Sequence, residues 1–336
     1  MVNNINILAI ETSCDDTSAS IISDKSIVSN VISSQDIHNN YGGIVPELAS
    51  REHVQNITHI VAGTLQNAQI PKNALSAIAF TQGPGLLGSL IIGTLYAKSF
   101  ALALNIPLIA VNHMKAHIMA NFIEEPHPKF PFLCLTVSGG HTQIVQANSP
   151  YEFSLLGKTL DDAVGEAFDK IAKMLNLEYP GGPLIDKLAM SGNSNAFKFS
   201  VTNMSGYNFS FSGIKTAFKY FLNRQLSDDA NFVNNNICDL CAGIQECLVD
   251  TLLTKVIQAV HQTGIKSVAL AGGVASNSRL RCKLDNLKDE LGIDVFYPRP
   301  IYCTDNAAMV AICAHYQYLA GDFATYNTNV NPNLNI

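Results

Sequence analysis

One layout occurs twice in this chain, and it constrains the fold more than any other feature. Ile5 to Ile10 is a short apolar run, followed by the polar turn Glu11-Thr12-Ser13-Cys14-Asp15-Asp16-Thr17 and a second apolar run through Ala19, Ile21 and Ile22. Far along the sequence, Phe132 to Val137 leads through Ser138-Gly139-Gly140-His141-Thr142 into Gln143, Ile144 and Val145. Short apolar runs bounded by turn residues predict strands, so each stretch reads as strand, tight turn, strand. A repeat at this separation predicts an α/β protein of two similar lobes, each opening with a hairpin whose turn points at a shared cleft.

The turns differ in chemistry. Backbone N–H groups in a glycine turn bind phosphate oxygens, and glycine allows the close approach, so Ser138-Gly139-Gly140 reads as a phosphate cradle. Asp15 and Asp16 in the first turn would repel phosphate unless they serve a metal, a water or a nucleophile. A third glycine turn, Ala271-Gly272-Gly273-Val274-Ala275-Ser276-Asn277, follows the apolar run Val268 to Leu270 and precedes a helix through Leu280, Leu284 and Leu287. Ser276 is the expected cap of that helix, whose N-terminus suits the phosphate or sugar edge of a nucleotide.

Between the hairpins, a helix carrying Val54, Ile57, Val61 and Leu65 follows Gly42-Gly43-Ile44-Val45-Pro46-Glu47. Ile78 to Phe80 and Ile106 to Val111 read as further strands. The stretch Leu86 to Leu104 is apolar enough to raise a membrane span, but Ser89, Thr94, Lys98 and Ser99 interrupt it. It reads as a buried helix in which Gly88, Gly93 and Ala97 permit close packing, and no membrane association is expected.

His113 follows directly, at the hand-over from the first lobe to the second. His113 and His117 are four residues apart and share one helical face, so both can bind a single metal ion. Asp305, between the turn-rich Tyr297-Pro298-Arg299-Pro300 and an apolar helix, is the candidate third ligand. Two histidines and a carboxylate with open positions suit iron or zinc. A zinc protease would need Glu after the first histidine as general base, and Met114 stands there.

Past the second hairpin, Asp161 to Leu175 is predicted helical, with Asp162, Glu166 and Asp169 on an acidic stripe. Tyr179 to Pro183 make a rigid turn, with Asp186 just beyond. In Asn208 to Lys215, Phe209 and Phe211 are read either as core residues or as contacts to a planar base.

Composition narrows the class. The 336 residues, 47% hydrophobic and 14% charged, describe a well-buried enzyme, and a net charge of -6 gives no support to bulk electrostatic binding of nucleic acid. Lys215, Lys219, Arg224, Arg279, Arg281 and Lys283 are candidate local phosphate contacts. The eight cysteines are scattered, Cys238 and Cys241 fall within a helical pattern, and no secretory signal precedes Ile5, so a reduced, cytoplasmic location is expected.

Taken together, these stretches resemble the universal tRNA threonylcarbamoyladenosine transferase family, formerly labelled glycoproteases, over almost the full length. The resemblance is carried by Glu-Thr-Ser-Cys-Asp-Asp-Thr from Glu11, Gly-Gly-Ile-Val-Pro-Glu-Leu-Ala-Ser-Arg-Glu-His from Gly42, and Gln-Gly-Pro-Gly-Leu-Leu-Gly-Ser-Leu from Gln82. His-Met-Lys-Ala-His from His113, Val-Ser-Gly-Gly-His-Thr from Val137, Pro-Gly-Gly-Pro from Pro180, Phe-Ser-Phe-Ser-Gly-Ile-Lys-Thr-Ala from Phe209 and Ala-Gly-Gly-Val-Ala-Ser-Asn from Ala271 complete it.

The resemblance implies a duplicated actin-like, sugar-kinase-like fold around a nucleotide and metal cleft. The lobes would be 1–112 and 113–336, with the last helix packing back on the first. It implies one divalent metal, Fe2+ or Zn2+, on His113, His117 and Asp305, and an adenylate held by Thr136, Val137, Ser138, Gly139, Gly140, Asp169, Gly182, Asp186 and Asn277. The implied reaction moves threonylcarbamoyl from threonylcarbamoyl-AMP to N6 of the adenosine 3′ of the anticodon, in tRNAs reading codons that begin with A. Asp15 is the expected catalytic residue. The family usually carries Glu where Asp16 stands, one methylene longer, so only Asp15 is carried over. A paralogous dimer partner and a small ATPase partner are expected. The rival readings are an ATP-dependent small-molecule kinase of the same fold, which needs no such metal set, and a regulatory paralogue, which would not retain it.

Overall fold

The computed structural model describes residues 4–201 and 204–336. In chain order the strands are β1 (Asn6–Glu11), β2 (Asp16–Ser23), β3 (Ser26–Ser34), β4 (Ala77–Gly83), β5 (Leu108–Asn112), β6 (Phe132–Val137), β7 (Thr142–Ala147), β8 (Phe153–Lys158), β9 (Ser267–Ala271) and β10 (Asp294–Phe296). The helices are α1 (Pro46–Ala68), α2 (Leu87–Leu104), α3 (His113–Met119), α4 (Val164–Met174), α5 (Gly181–Ala189), α6 (Ser212–Asp228), α7 (Phe232–Thr263), α8 (Ser278–Leu291), α9 (Pro300–Cys303) and α10 (Ala307–Ala320).

Two compact units result. The first runs from the amino-terminal segment through His127 and includes Asn148–Phe153 and Pro298–Ile336; the second comprises Pro128–Ala147 and Ser154–Tyr297. This partition differs from a break between 112 and 113. Residues 113–127 belong with the first unit, and so does α10, the last helix, which packs against β1, β2, β3 and α3.

The first sheet has the order β3-β2-β1-β4-β5, and the second, read from β8, has β8-β7-β6-β9-β10. In the first, β1 pairs antiparallel with β2 and parallel with β4, which pairs parallel with β5. In the second, β6 pairs antiparallel with β7 and parallel with β9, which pairs parallel with β10. The repeated hairpin is therefore the visible part of a duplicated sheet.

Side chains alternate along a strand, so burial on both phases means that both faces are covered. Leu8, Ile10, Ile78 and Phe80 cluster with Ile57 and Val61 of α1 and Ala97 and Ala101 of α2. Ile7, Ala9, Ala77 and Ala79 alternate with them and are equally buried. That second face accounts for α10, whose residues Ala307 to Ala314 are all buried.

Helix α2 departs from the buried helix expected. Ser89, Leu90, Gly93, Thr94, Ala97 and Ala101 face inward, and a β-carbon on Gly93 would lie 2.3 Å from Thr12 Oγ1, so the close-packing role of the small residues holds. Leu87, Ile91, Leu95 and Leu102 are exposed, at 54%, 37%, 57% and 65%. The helix is apolar all round, but the unit covers only one side of it. By length and composition α2 is the one described helix apolar enough to cross a membrane, yet its inner face packs on β4 and α1 as part of this unit.

Candidate metal centre and phosphate-binding turns

Helix α3 begins where β5 ends. The Asn112 side chain caps it, accepting from the N–H groups of Met114 and Lys115 at 2.9 and 3.1 Å. His113 is therefore the first helical residue, and His117 lies one turn on; both are buried. Asp305 sits just before α10, whose first turn is capped by Asn306 accepting from Met309 N–H at 3.0 Å.

The three side chains meet within the first unit. His113 Nε2 and His117 Nε2 are 3.2 Å apart, and Asp305 Oδ1 is 3.1 Å from the second and 3.5 Å from the first. Donor atoms about 2.0–2.1 Å from a tetrahedral ion lie roughly 3.4 Å from one another, which matches this triplet. Among the described residues it is the one group of three such donors able to hold an ion.

Around it the carboxyls interact. Glu11 at the end of β1 is fully buried; it accepts from Ser13 N–H at 2.5 Å and from the Thr81 hydroxyl at 2.5 Å, and its Oε2 is 3.3 Å from His113 Nδ1. Burial acts to raise the Glu11 carboxyl, but His113 outweighs it and holds the group below its usual range. His113 is pushed up to about 9, because Asp305 and Glu11 overcome the burial that would lower it. Burial lowers His117, with His113 beside it acting in the same direction.

Asp15 and Asp16 lie at the β1–β2 turn. Burial raises both, Asp16 to about 7, and the charge of Asp305 adds to each shift. The turn is clamped from α1. His53 is fully buried, with Nδ1 2.7 Å from the Thr17 hydroxyl and Nε2 3.0 Å from the Cys14 carbonyl. Sequence reading missed both Glu11 and His53. The available signals were a carboxylate ending an apolar strand and a histidine on the inward stripe with Ala49, Ile57 and Val61.

The residues expected around an adenylate all fall in the second unit. Thr136 and Val137 end β6 and are buried, whereas Gly139 and Gly140 are exposed, with open space where β-carbons would stand. Ser138 closes the turn on His141, and its carbonyl accepts from Gly165 N–H at 3.3 Å. Gly272 passes beside β6 with φ +88, and a β-carbon there would be 2.3 Å from the Val137 carbonyl, so only glycine fits.

Three helix starts join this region by hydrogen bonds. Asp169 accepts from Gly181 and Gly182 N–H at 2.8 and 3.4 Å, and Asp186 accepts from Ser278 N–H and hydroxyl at 3.0 and 2.7 Å. Asn277, not Ser276, caps α8. Its side-chain Oδ1 accepts from Leu280 N–H at 3.0 Å, and its side-chain NH2 donates to Gln245 Oε1 at 2.8 Å. Ser276 is drawn into a 3-10 turn one residue earlier. Ser138 bonded to Gly165 of α4, Asp169 of α4 bonded to the start of α5, and Asp186 of α5 bonded to the start of α8 thus tie the expected set into one framework.

Two other expectations resolve. Phe209 and Phe211 are core residues, buried and stacked at 6.2 Å. Asp161 and Asp162 precede α4 instead of opening it, because Asp161 accepts from the Ser210 hydroxyl and from Phe211 N–H while Asp162 pairs with Lys170 and Lys215. Of the basic residues suggested for phosphate contact, Lys215 is held by Asp162, Arg279 by Glu246, and Lys283 by Glu246 and Asp250. Arg281 donates to the Ala275 carbonyl at 2.7 Å and lies over the Tyr297 ring.

Residues 26–312 match the family model described as TsaD: tRNA N6-adenosine threonylcarbamoyltransferase. A protein of that name from Cytophaga hutchinsonii is 53% identical over 99% of this chain and 97% of its own length. One from Clostridioides difficile is 45% identical over 100% of this chain and 99% of its own. Among solved structures, HypF of T. kodakarensis superposes with a TM-score of 0.63 at 16% identity, over 95% of this chain and 48% of that one. Component A of the (R)-2-hydroxyglutaryl-CoA dehydratase of Acidaminococcus fermentans gives 0.55 at 17% identity, over 94% and 99%. These two share the duplicated actin-like fold with this chain. The full-length similarity and the family match together place this chain in the tRNA N6-adenosine threonylcarbamoyltransferase family.

Proposed function

We propose that the chain transfers a threonylcarbamoyl group from threonylcarbamoyl-AMP to N6 of the adenosine 3′ of the anticodon, in tRNAs reading codons that begin with A. The observation that carries this reading is the convergence of His113, His117 and Asp305 in a chain with full-length similarity to this family. A kinase of the same fold has no use for such a set.

The exocyclic amine of adenine is a weak nucleophile because its lone pair is delocalised into the ring. Asp15 is the group proposed to orient that amine and accept its proton, and the burial that raises its carboxyl suits a proton acceptor. The open Gly139-Gly140 turn and the helix starts at Gly182 and Asn277 are proposed to bind the AMP portion, with backbone N–H groups taking up charge as the phosphate departs. A divalent ion on His113 Nε2, His117 Nε2 and Asp305 Oδ1 would supply Lewis-acid polarisation of a bound oxygen. Fe2+ is the ion proposed, and Zn2+ is the alternative that the same mixed donors accept.

The exposed stripe Leu87, Ile91, Leu95 and Leu102 of α2 supports a protein partner on the first unit, and a paralogous dimer partner is proposed there. A small ATPase is proposed as a further partner. All eight cysteines are free thiols, which supports a reducing, cytoplasmic setting.

The deciding experiment follows labelled threonylcarbamoyl from the preformed adenylate into tRNA with the partner proteins present. Wild type is expected to label the tRNA, and His113→Ala and Asp305→Ala to lose metal and activity together. Phosphorylation of a small molecule by a metal-free wild type would establish the kinase reading instead.

A further inference from the structure

We propose that Glu11 is a positioning residue for His113: its carboxylate accepts the Nδ1–H of the ring and so presents Nε2, bare of a proton, to the metal. This rests on the metal-binding reading of His113, His117 and Asp305.

Glu11 ends a central strand and has no exposed surface. A carboxylate there is costly unless both oxygens are used. Ser13 N–H donates to Oε1, the Thr81 hydroxyl donates to Oε2, and His113 Nδ1 lies 3.3 Å from that same Oε2. Thr81 is on β4, which pairs with β1, so the acceptor is held from two strands. Because Nδ1 and Nε2 are opposite sides of one ring, an acceptor fixed at Nδ1 also sets where Nε2 points, and Nε2 is the atom 3.2 Å from His117 Nε2. His117 offers a contrast, since its Nδ1 is buried without a partner among the described residues.

A glutamine cannot replace this carboxylate. It has one acceptor oxygen: with that oxygen toward Ser13, its NH2 faces Nδ1 and drives the ring proton to Nε2; with the oxygen toward Nδ1, two donors meet at Ser13. The Ser13 hydroxyl is the competing acceptor, 3.2 Å from Nδ1.

The test measures Zn2+ affinity of the full-length chain by chelator competition for wild type, Glu11→Gln, Ser13→Ala and His117→Ala. Glu11→Gln is expected to weaken Zn2+ binding by about 10–100-fold, with Ser13→Ala unchanged. Equal affinity in Glu11→Gln, or a loss confined to Ser13→Ala, overturns the proposal. Wild type binding no more Zn2+ than His117→Ala would overturn the metal reading itself, and Glu11 with it. If Glu11→Gln does not fold, NMR of the Co2+-loaded wild type decides. A slowly exchanging, paramagnetically shifted His113 ring N–H supports the role, and a freely exchanging one removes it.

Discussion

His117 Nε2 lies 3.1 Å from Asp305 Oδ1, across 188 residues of sequence. The contact exists because α3 and α10 pack together in the first unit. His117→Ala should therefore lose bound metal to background and transfer activity in step, while Asn121→Ala on the following turn should keep both. Metal analysis beside single-turnover transfer checks this. Retention of metal by His117→Ala would show that the triplet is not the binding site.

Asp15→Asn should separate chemistry from metal binding. Loss of a positioned proton acceptor lowers the single-turnover rate by about 10²–10⁴-fold, whereas the ion stays on His113, His117 and Asp305. An unchanged rate with intact metal would remove Asp15 from the reaction.

Asp161 ties the segment before α6 to the start of α4, and its carboxyl is held below the usual aspartate value. Burial would raise it, but the Ser210 hydroxyl and the N–H groups of Phe211 and Ser212 outweigh that. A depressed folded-state value means that this contribution to stability is complete above the unfolded value and is lost as pH falls through the folded one. The Tm deficit of Asp161→Asn should thus be largest near neutrality and shrink below about pH 4. A pH-independent deficit would contradict the assignment.

Gly272→Ala should destabilise the second unit. Its positive φ costs about 1–3 kcal/mol for a residue with a side chain, and the added carbon would press on the Val137 carbonyl. Denaturant unfolding should show at least that loss, and a neutral effect would mean that this turn relaxes freely.

The paired change Leu95→Glu and Leu102→Glu should leave Tm nearly unaltered, since exposed substitutions usually move stability by no more than about 0.5 kcal/mol. Binding of the proposed partner, followed by size-exclusion chromatography of the mixture, should be abolished. Undiminished complex formation would place the partner elsewhere.

The hairpins were legible because strand alternation and turn residues are local: Ile5 to Ile22 and Phe132 to Val145 each carry their own signal. The His113–His117 pair was legible because helical spacing alone puts both rings on one face. The outer stripe of α2 was not, because Leu87 and Leu90 look alike in sequence and only the position of α1 and β4 tells which one is covered. The Ser276 cap was misplaced by one residue for a similar reason: serine and asparagine both cap, and the 3-10 turn after Gly272 selected Asn277.

By itself, then, the sequence determined the duplicated strand pattern, the glycine turns and the shared face of His113 and His117, and it singled out Asp305, between a turn and an apolar helix, as the candidate third donor. Tertiary packing alone decided that residues 113–127 join the first unit, how closely Asp305 approaches the two histidines, and that Glu11 and Thr81 stand behind His113. Those relations depend on which buried surfaces pair across long separations, and residue type and spacing carry no record of that choice.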